Sequence, residues 1–236
     1  MPYHIRAEVG EVAETVIGVG DPARAELFAG LIGARLVNSH RYLVYTGLYG
    51  GFPVTIVAHG IGAPSAAIAL EELRRLGMKR FVRIGTAGAL AGLKVGDVVV
   101  ASAAVAAHRG GIYSAYMGDA CPPLAPSPLF TAKIYEGLRR LGAVLAPVVS
   151  SDAFYAESGE ADRWKSWGAV AVEMECAAAM MLGWLRGFDT ACVLVISNVV
   201  GREETVDLRD RFVEVFKAVL DVIRGSYSSP LSSDGP

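Results

Sequence analysis

Residues 54–88 read VTIVAHGIGAPSAAIALEELRRLGMKRFVRIGTAG. Two apolar, β-branched runs, 54–60 and 80–88, flank a segment with a different period. Between them Ala67, Leu70, Leu73 and Leu76 recur at helical spacing, with charges on the opposite side. Pro64 suits the first helical turn, where its missing N–H costs nothing, and Gly77 supplies the stop. Strand, helix and strand in direct succession is the signature of an α/β fold.

The same alternation extends both ways. Further strands are expected at 15–20, 95–104, 143–150, 169–174 and 190–199, each a buried run followed by small residues. Ser127 and Pro128 open a helix that ends before Gly142. A third helix spans 207–224: Leu208, Phe212, Val215, Phe216, Val219 and Ile223 form its stripe, Asp207 caps it and Gly225 ends it. Neither an internal repeat nor a linker is evident, so 1–225 reads as one domain. Residues 226–236, rich in Ser, Pro and Gly, read as a mobile tail.

Composition narrows the function. A chain of 236 residues with 53% hydrophobic content has enough material for one large core. A formal net charge of −2 gives no basic field for nucleic acid or an anionic membrane. The longest apolar stretch, 169–185, is interrupted by Glu173 and Glu175 and falls short of the ~20 residues that span a bilayer. The first 14 residues carry His4, Arg6 and three glutamates, too polar for a signal peptide. Cys121, Cys176 and Cys192 match no metal-binding or redox spacing, so reduced thiols in a cytoplasmic protein are expected, with no metal and no cofactor.

Five segments carry candidate chemistry. Gly18-Val-Gly-Asp-Pro-Ala-Arg24 ends a strand; its glycines let a backbone approach an anion and Arg24 adds charge. The alternative there is a plain strand-to-helix turn with a surface arginine. Arg83 sits inside an apolar strand, ahead of Thr86 and between small residues, and needs an acidic partner or an anion. Glu173 and Glu175 stand two apart in an apolar stretch, suited either to sugar hydroxyls or to buried salt bridges. Phe154 and Tyr155 follow a strand and could stack on a flat base or pack in the core. Asn198 ends the last strand, where an amide can read a base edge.

In this order the segments GDPARAE (20–26), RYLVYTGLYGG (41–51), HGIGAPSAAIALEEL (59–73), RIGTAGAL (83–90), SSDAFYAE (150–157) and AVEMECAAAM (171–180) resemble the nucleoside phosphorylase-I family. The likeness is to its hexameric purine nucleoside, methylthioadenosine and uridine phosphorylases and covers nearly the whole chain. It implies a single domain with a central mixed, partly barrel-like sheet flanked by helices. It also implies a homo-hexamer built from dimers that share active sites, with a nucleoside and inorganic phosphate as substrates. By the same resemblance, Gly20, Arg24, Arg83 and Thr86 bind phosphate, and Arg41 reaches it from the neighbouring subunit. Ile61, Met174 and Glu175 hold the ribose, and His4 reaches the 5′ end across the dimer. Ala87, Gly88, Phe154, Val172 and Glu173 line the base site.

Asn198 departs from the family's bacterial purine enzymes, which carry an aspartate there to protonate the base. An amide cannot supply that proton but can hydrogen-bond a ring nitrogen or carbonyl. The segment 155–160 also lacks the glutamine–arginine pair with which uridine phosphorylases grip uracil. The expected activity is therefore purine nucleoside phosphorolysis, with Asn198, Arg83 and Glu175 in the catalytic roles. Uridine and methylthioadenosine phosphorolysis are the alternatives.

Overall fold

The computed structural model describes residues 2–108, 110–121, 123–202 and 206–227. In chain order, β1 (Thr15–Val19) leads through α1 (Pro22–Leu31) to an antiparallel pair, β2 (Arg35–Asn38) and β3 (Val44–Tyr49), and on to β4 (Phe52–Ala58). Helix α2 (Ala63–Arg75) crosses to β5 (Arg80–Ala89), followed by β6 (Val98–Ala106), α3 (Ile112–Met117) and α4 (Pro128–Leu138). Then come β7 (Val144–Ser150), α5 (Glu157–Ser166), β8 (Ala171–Glu173), α6 (Cys176–Arg186), β9 (Asp189–Val199) and α7 (Arg209–Tyr227).

The strands form one mixed sheet in the order β2-β3-β4-β1-β5-β8-β7-β6-β9, and β9 returns to pair with β5. Strands β5, β8, β7, β6 and β9 thus close on themselves, while β2, β3, β4 and β1 fan out as an open extension. Strand β1 is buried along its whole length because parallel neighbours, β4 and β5, flank it. Continuous apolar runs are what such a position requires. The chain leaves β1 toward β2–β4 on one side and returns through α2 to β5 on the other. The carboxyl ends of β4, β1 and β5 therefore surround a topological switch point, the usual place for a ligand in an α/β sheet.

Two apolar layers cover the sheet. On one face α2 and α6 pack together, with Leu70, Leu73, Met180 and Leu182 buried beneath them. On the other, α1, α4 and α7 enclose Phe28, Ile134, Leu138, Phe216 and Ile223. Phe28 and Phe216 stack with ring centroids 4.1 Å apart. A smaller cluster around Trp164 fixes α5 against β7 and β8.

All seven expected strands and the three expected helices are present. Strand β6 starts at Val98 and not at 95, because Lys94 and Asp97 close a turn: Lys94 N donates to Asp97 Oδ2 at 2.9 Å. Helix α7 passes through Gly225 to Tyr227, two residues into the segment read as a tail, and residues 228–236 of that segment lie outside the described residues. Strands β2 and β3 were not anticipated; both are short and partly exposed, with polar residues interrupting any apolar run. Helix α1 follows the strand-to-helix turn that the segment 18–24 allows, whereas α3, α5 and α6 are not among the expected elements. Helix α6 is buried on nearly every side and α5 is polar nearly all round, so neither shows an apolar stripe.

Phe216 is the keystone of the layer under α1 and α7. Phe216→Ala is expected to cost about 3–5 kcal/mol and to lower Tm by roughly 10 °C, measured by calorimetry. A Tm unchanged from wild type would show that the layer refills the space.

Candidate active site

The floor of the site is set by strand register. Gly18 of β1 lies level with Val57 of β4 and Arg83 of β5. Side chains alternate along each strand, so Arg83 and Gly85 leave the sheet on the same face as Gly18 and Gly20. Glycine is required at 85: a Cβ there would fall on the Arg83 guanidinium. The start of α1, from Asp21 to Arg24, borders the same space. Asp21 caps that helix through Oδ1 to Ala23 N at 2.9 Å, and Pro22 occupies its first turn.

Arg83 is 4% exposed and is the electrostatic centre. Its Nη2 contacts a Glu175 oxygen and lies 3.1 Å from Glu173 Oε2. Burial alone would lower its pKa, but the charges of Glu175 and Glu173 outweigh it and drive the value up. Its Nε and Nη1 are buried and have no hydrogen-bond partner. The sequence offered two readings of Arg83, an acidic partner or an anion. The structure supplies the partners and leaves two donors unused.

The two glutamates differ in role. Glu173 ends β8 and is sealed in: its carboxylate accepts from Glu175 N at 2.8 Å, from Cys176 N at 3.0 Å and from the Ser150 hydroxyl. It stands at the amino end of α6, where the helix dipole favours negative charge. Glu175 follows at the helix cap and accepts from Gly62 N at 2.6 Å, tying α6 to the loop before α2. Cys176 and Cys192 form the back wall behind Arg83, and burial with the Cys192 contact pushes the Cys176 thiol pKa up.

One cavity of about 590 Å³ collects Gly20, Arg24, Ile61, Arg83, Thr86, Ala87, Gly88, Phe154, Val172, Glu173, Met174, Glu175 and Asn198. Sequence residues from six segments thus meet around a single space. Arg24 reaches it from α1 with its guanidinium 3.8 Å from the Phe212 ring centroid; desolvation lowers its pKa, and Arg83 adds to that. Phe154 is 58% exposed and Ile61 75%, so both stand at the rim. Asn198 enters through a bulge: β5 and β9 run in register to Ala87 and Ile196, then Gly88 pairs with Asn198. The extra residue, Ser197, turns both side chains toward the cavity, and its hydroxyl donates to Asn198 Oδ1 at 3.0 Å.

His4 and Arg41 lie elsewhere. They line a separate concavity of about 870 Å³ with Tyr3, Arg6, His40 and Tyr42. Glu72 gathers this segment, accepting from the backbone N–H groups of Tyr3, His4 and Ile5 and pairing with His4 Nδ1 at 2.8 Å. Among the described residues, Arg41 is the one non-glycine with positive φ, at 66°. Such backbone strain collects where function holds a side chain in place.

The same cavity holds two residues that carried no assignment in the sequence. Glu157, at the start of α5, is 9% exposed; burial, helped by the Glu173 charge, raises its carboxyl to about 7. Nothing in its local sequence announces this, because the burial comes from the packing of α5 and not from its own neighbours in the chain. Ser197 was masked in the same way by the bulge.

Comparison with known proteins agrees with this geometry. The pattern of the phosphorylase superfamily matches residues 14–223. A guanosine phosphorylase of Halorubrum lacusprofundi is 36% identical over 221 residues, covering 91% of each chain. A uridine phosphorylase of Thermococcus kodakarensis is 33% identical over 86% of this chain and 79% of its own. A DeoD-type purine nucleoside phosphorylase of Latilactobacillus sakei is 32% identical over 94% of this chain and 98% of its own. With the fold, the cavity and these matches in agreement, the chain belongs to the phosphorylase superfamily, among the nucleoside phosphorylases, which are pentosyltransferases.

Proposed function

We propose that this enzyme is a purine nucleoside phosphorylase with a preference for 6-oxopurines, releasing the base and (deoxy)ribose 1-phosphate. The observation that carries the reading is Glu157, a buried carboxyl that lines the same cavity as Asn198 and Ser197. As a carboxylate, Glu157 accepts from N1–H and, in guanine, from the exocyclic amine. Asn198 donates to N7 or O6. Similarity to a guanosine phosphorylase supports the same choice.

In this reading the anion lies over Gly20, held by Arg24, Thr86 and the unused donors of Arg83. Glu175 and Met174, with Ile61 at the rim, orient the ribose; Ala87, Gly88, Phe154 and Val172 enclose the base. The C1′–N bond loosens toward an oxocarbenium-like sugar while a phosphate oxygen attacks C1′ from the opposite face. The protein's contribution is orientation and electrostatic stabilisation, with no covalent intermediate. The base departs with negative charge that Asn198 and its neighbours disperse. Glu173 supports the site from behind by fixing Arg83 and the start of α6.

A homo-oligomer completes the site. Arg41 and His4 sit in a cavity of their own, and the strained backbone at Arg41 holds that side chain ready. Two copies facing each other would bring the partner's Arg41 to the phosphate and the partner's His4 to the 5′ end. Three such dimers would form the hexamer expected from the family resemblance.

The deciding assay follows inosine, guanosine, adenosine, methylthioadenosine and uridine, each with and without phosphate. Inosine and guanosine should be cleaved at least as well as adenosine, and only when phosphate is present. Uridine cleavage with negligible purine turnover would overturn the purine reading, and turnover without phosphate would overturn the phosphorylase reading. Arg24→Ala should raise the phosphate KM by about tenfold or more, whereas an unchanged KM would take Arg24 out of the anion site.

Glu157 should leave a pH signature. Its carboxyl gains a proton as pH falls through about 7, and the protonated form loses the acceptor for N1–H. Guanosine kcat/KM should therefore fall below neutrality. Glu157→Gln should lower it by roughly tenfold at pH 8 and flatten the profile. A variant with wild-type guanosine kinetics would remove Glu157 from base recognition.

Shared sites predict complementation. Arg41→Ala and Glu175→Ala proteins, each inactive alone, should regain activity when mixed under conditions that exchange subunits. Absence of rescue despite demonstrated exchange would place Arg41 outside its neighbour's site.

A further inference from the structure

Two arginines line the site cavity, and they are held by opposite means. Arg83 is fixed by carboxylates, which take up its Nη2. Arg24 is not: among the described residues no carboxylate forms an ion pair with it. Asp21, three residues earlier, is engaged in capping α1 through Ala23 N and reaches Arg24 by its charge alone. The Arg24 guanidinium lies instead over the ring of Phe212, 3.8 Å from its centroid. That is the contact distance of two flat groups lying face to face.

The ring has no freedom to follow the arginine. Phe212 stands in the first turn of α7, is 4% exposed, and belongs to the apolar layer with Phe28, Val82, Ile84 and Phe216. It is a fixed plate set by the core. Arg24, by contrast, borders two spaces: the site cavity, and a second cavity of about 560 Å³ that also meets Thr86, Ser197 and the start of α7. Phe212 lines the second and not the first. A long side chain between two openings, without an ionic tether, turns toward whichever space hydrates it better unless something holds it. The face of an aromatic ring attracts a cation through its quadrupole. Stacking also leaves the in-plane N–H groups of the guanidinium unused. A carboxylate in the same place would hold Arg24 as well, but would cancel its charge and occupy its donors.

We infer that Phe212 is a positioning residue of the reaction: its ring holds the Arg24 guanidinium at the anion site by a cation–π contact that keeps the charge and the N–H donors of Arg24 for phosphate. The inference rests on the assignment of Arg24 to the phosphate site proposed above, and adds to it a residue that does not itself line that cavity. Through this contact α7, the last helix of the chain, becomes part of the anion site.

The test changes the electrons of the ring and not its size. Phe212 is replaced, by site-specific incorporation, with phenylalanine carrying one, two or three ring fluorines, which weaken the negative face stepwise and nearly preserve the shape. The phosphate Kd from titration calorimetry and the phosphate KM should both rise with each fluorine, by about threefold to tenfold across the series. The nucleoside KM at saturating phosphate should stay constant. Phe212→Leu, which removes the ring altogether, should raise the phosphate KM at least as much. In an Arg24→Ala background the fluorine series should be flat. A phosphate affinity that does not vary along the series, or that varies as much without Arg24 as with it, overturns the inference. A series that weakens nucleoside and phosphate together also overturns it, since a merely structural role would do the same. The two readings fail separately. A flat series alongside an Arg24→Ala protein defective in phosphate binding counts against Phe212 alone, whereas an Arg24→Ala protein with unchanged phosphate KM removes Arg24 from the anion site and the inference with it.

Discussion

A single buried guanidinium organises this molecule. Arg83 lies inside a strand where water cannot reach it, and an isolated charge there would cost several kcal/mol. Two carboxylates compensate it, Glu173 from the end of β8 and Glu175 from the cap of α6. Each is itself too buried to stand alone. Glu173 is satisfied by two backbone amides and a serine, and Glu175 by the amide of Gly62. The loop before α2, the start of α6 and the ends of β5 and β8 are therefore fixed by one network. Removing Arg83 would leave two buried carboxylates without their cation, so the network depends on it most.

The network also settles an apparent conflict. Two carboxylates beside one arginine make a poor welcome for an anion. Both contact the same nitrogen, Nη2, so they occupy one corner of the guanidinium. Nε and Nη1, on either side of that corner, have no hydrogen-bond partner. Arg24, the other arginine of the cavity, adds positive charge.

Much of the fold could be read from the chain because its decisive strands are buried on both faces and apolar throughout. Two of the helices that escaped lack a readable stripe: α6 because most of its residues are buried, α5 because it is polar apart from Ala161 and Trp164. The site was legible where residue type conflicted with context, as with Arg83, Glu173 and Glu175, each a charge in an apolar run. It was illegible where context came from afar. Glu157 looks like an ordinary helix-opening acid until α5 docks against β7 and β8. The separation of His4 and Arg41 from the other residues is likewise a matter of distance in space, which the spacing of motifs does not record.

Strand β5 belongs to two structures at once: it borders β1 in the open part of the sheet and closes the barrel against β9. The second pairing joins residues more than a hundred positions apart, so it forms only after nearly the whole chain has been synthesised. Asn198 reaches the cavity only through the bulge in that pairing, and Arg83 finds both glutamates only once β8 and α6 have docked. A nascent or partly folded chain therefore has no half-built version of this site. Turnover would be an all-or-none report on folding, and a partially assembled chain would bind its substrates too poorly to be rescued by them.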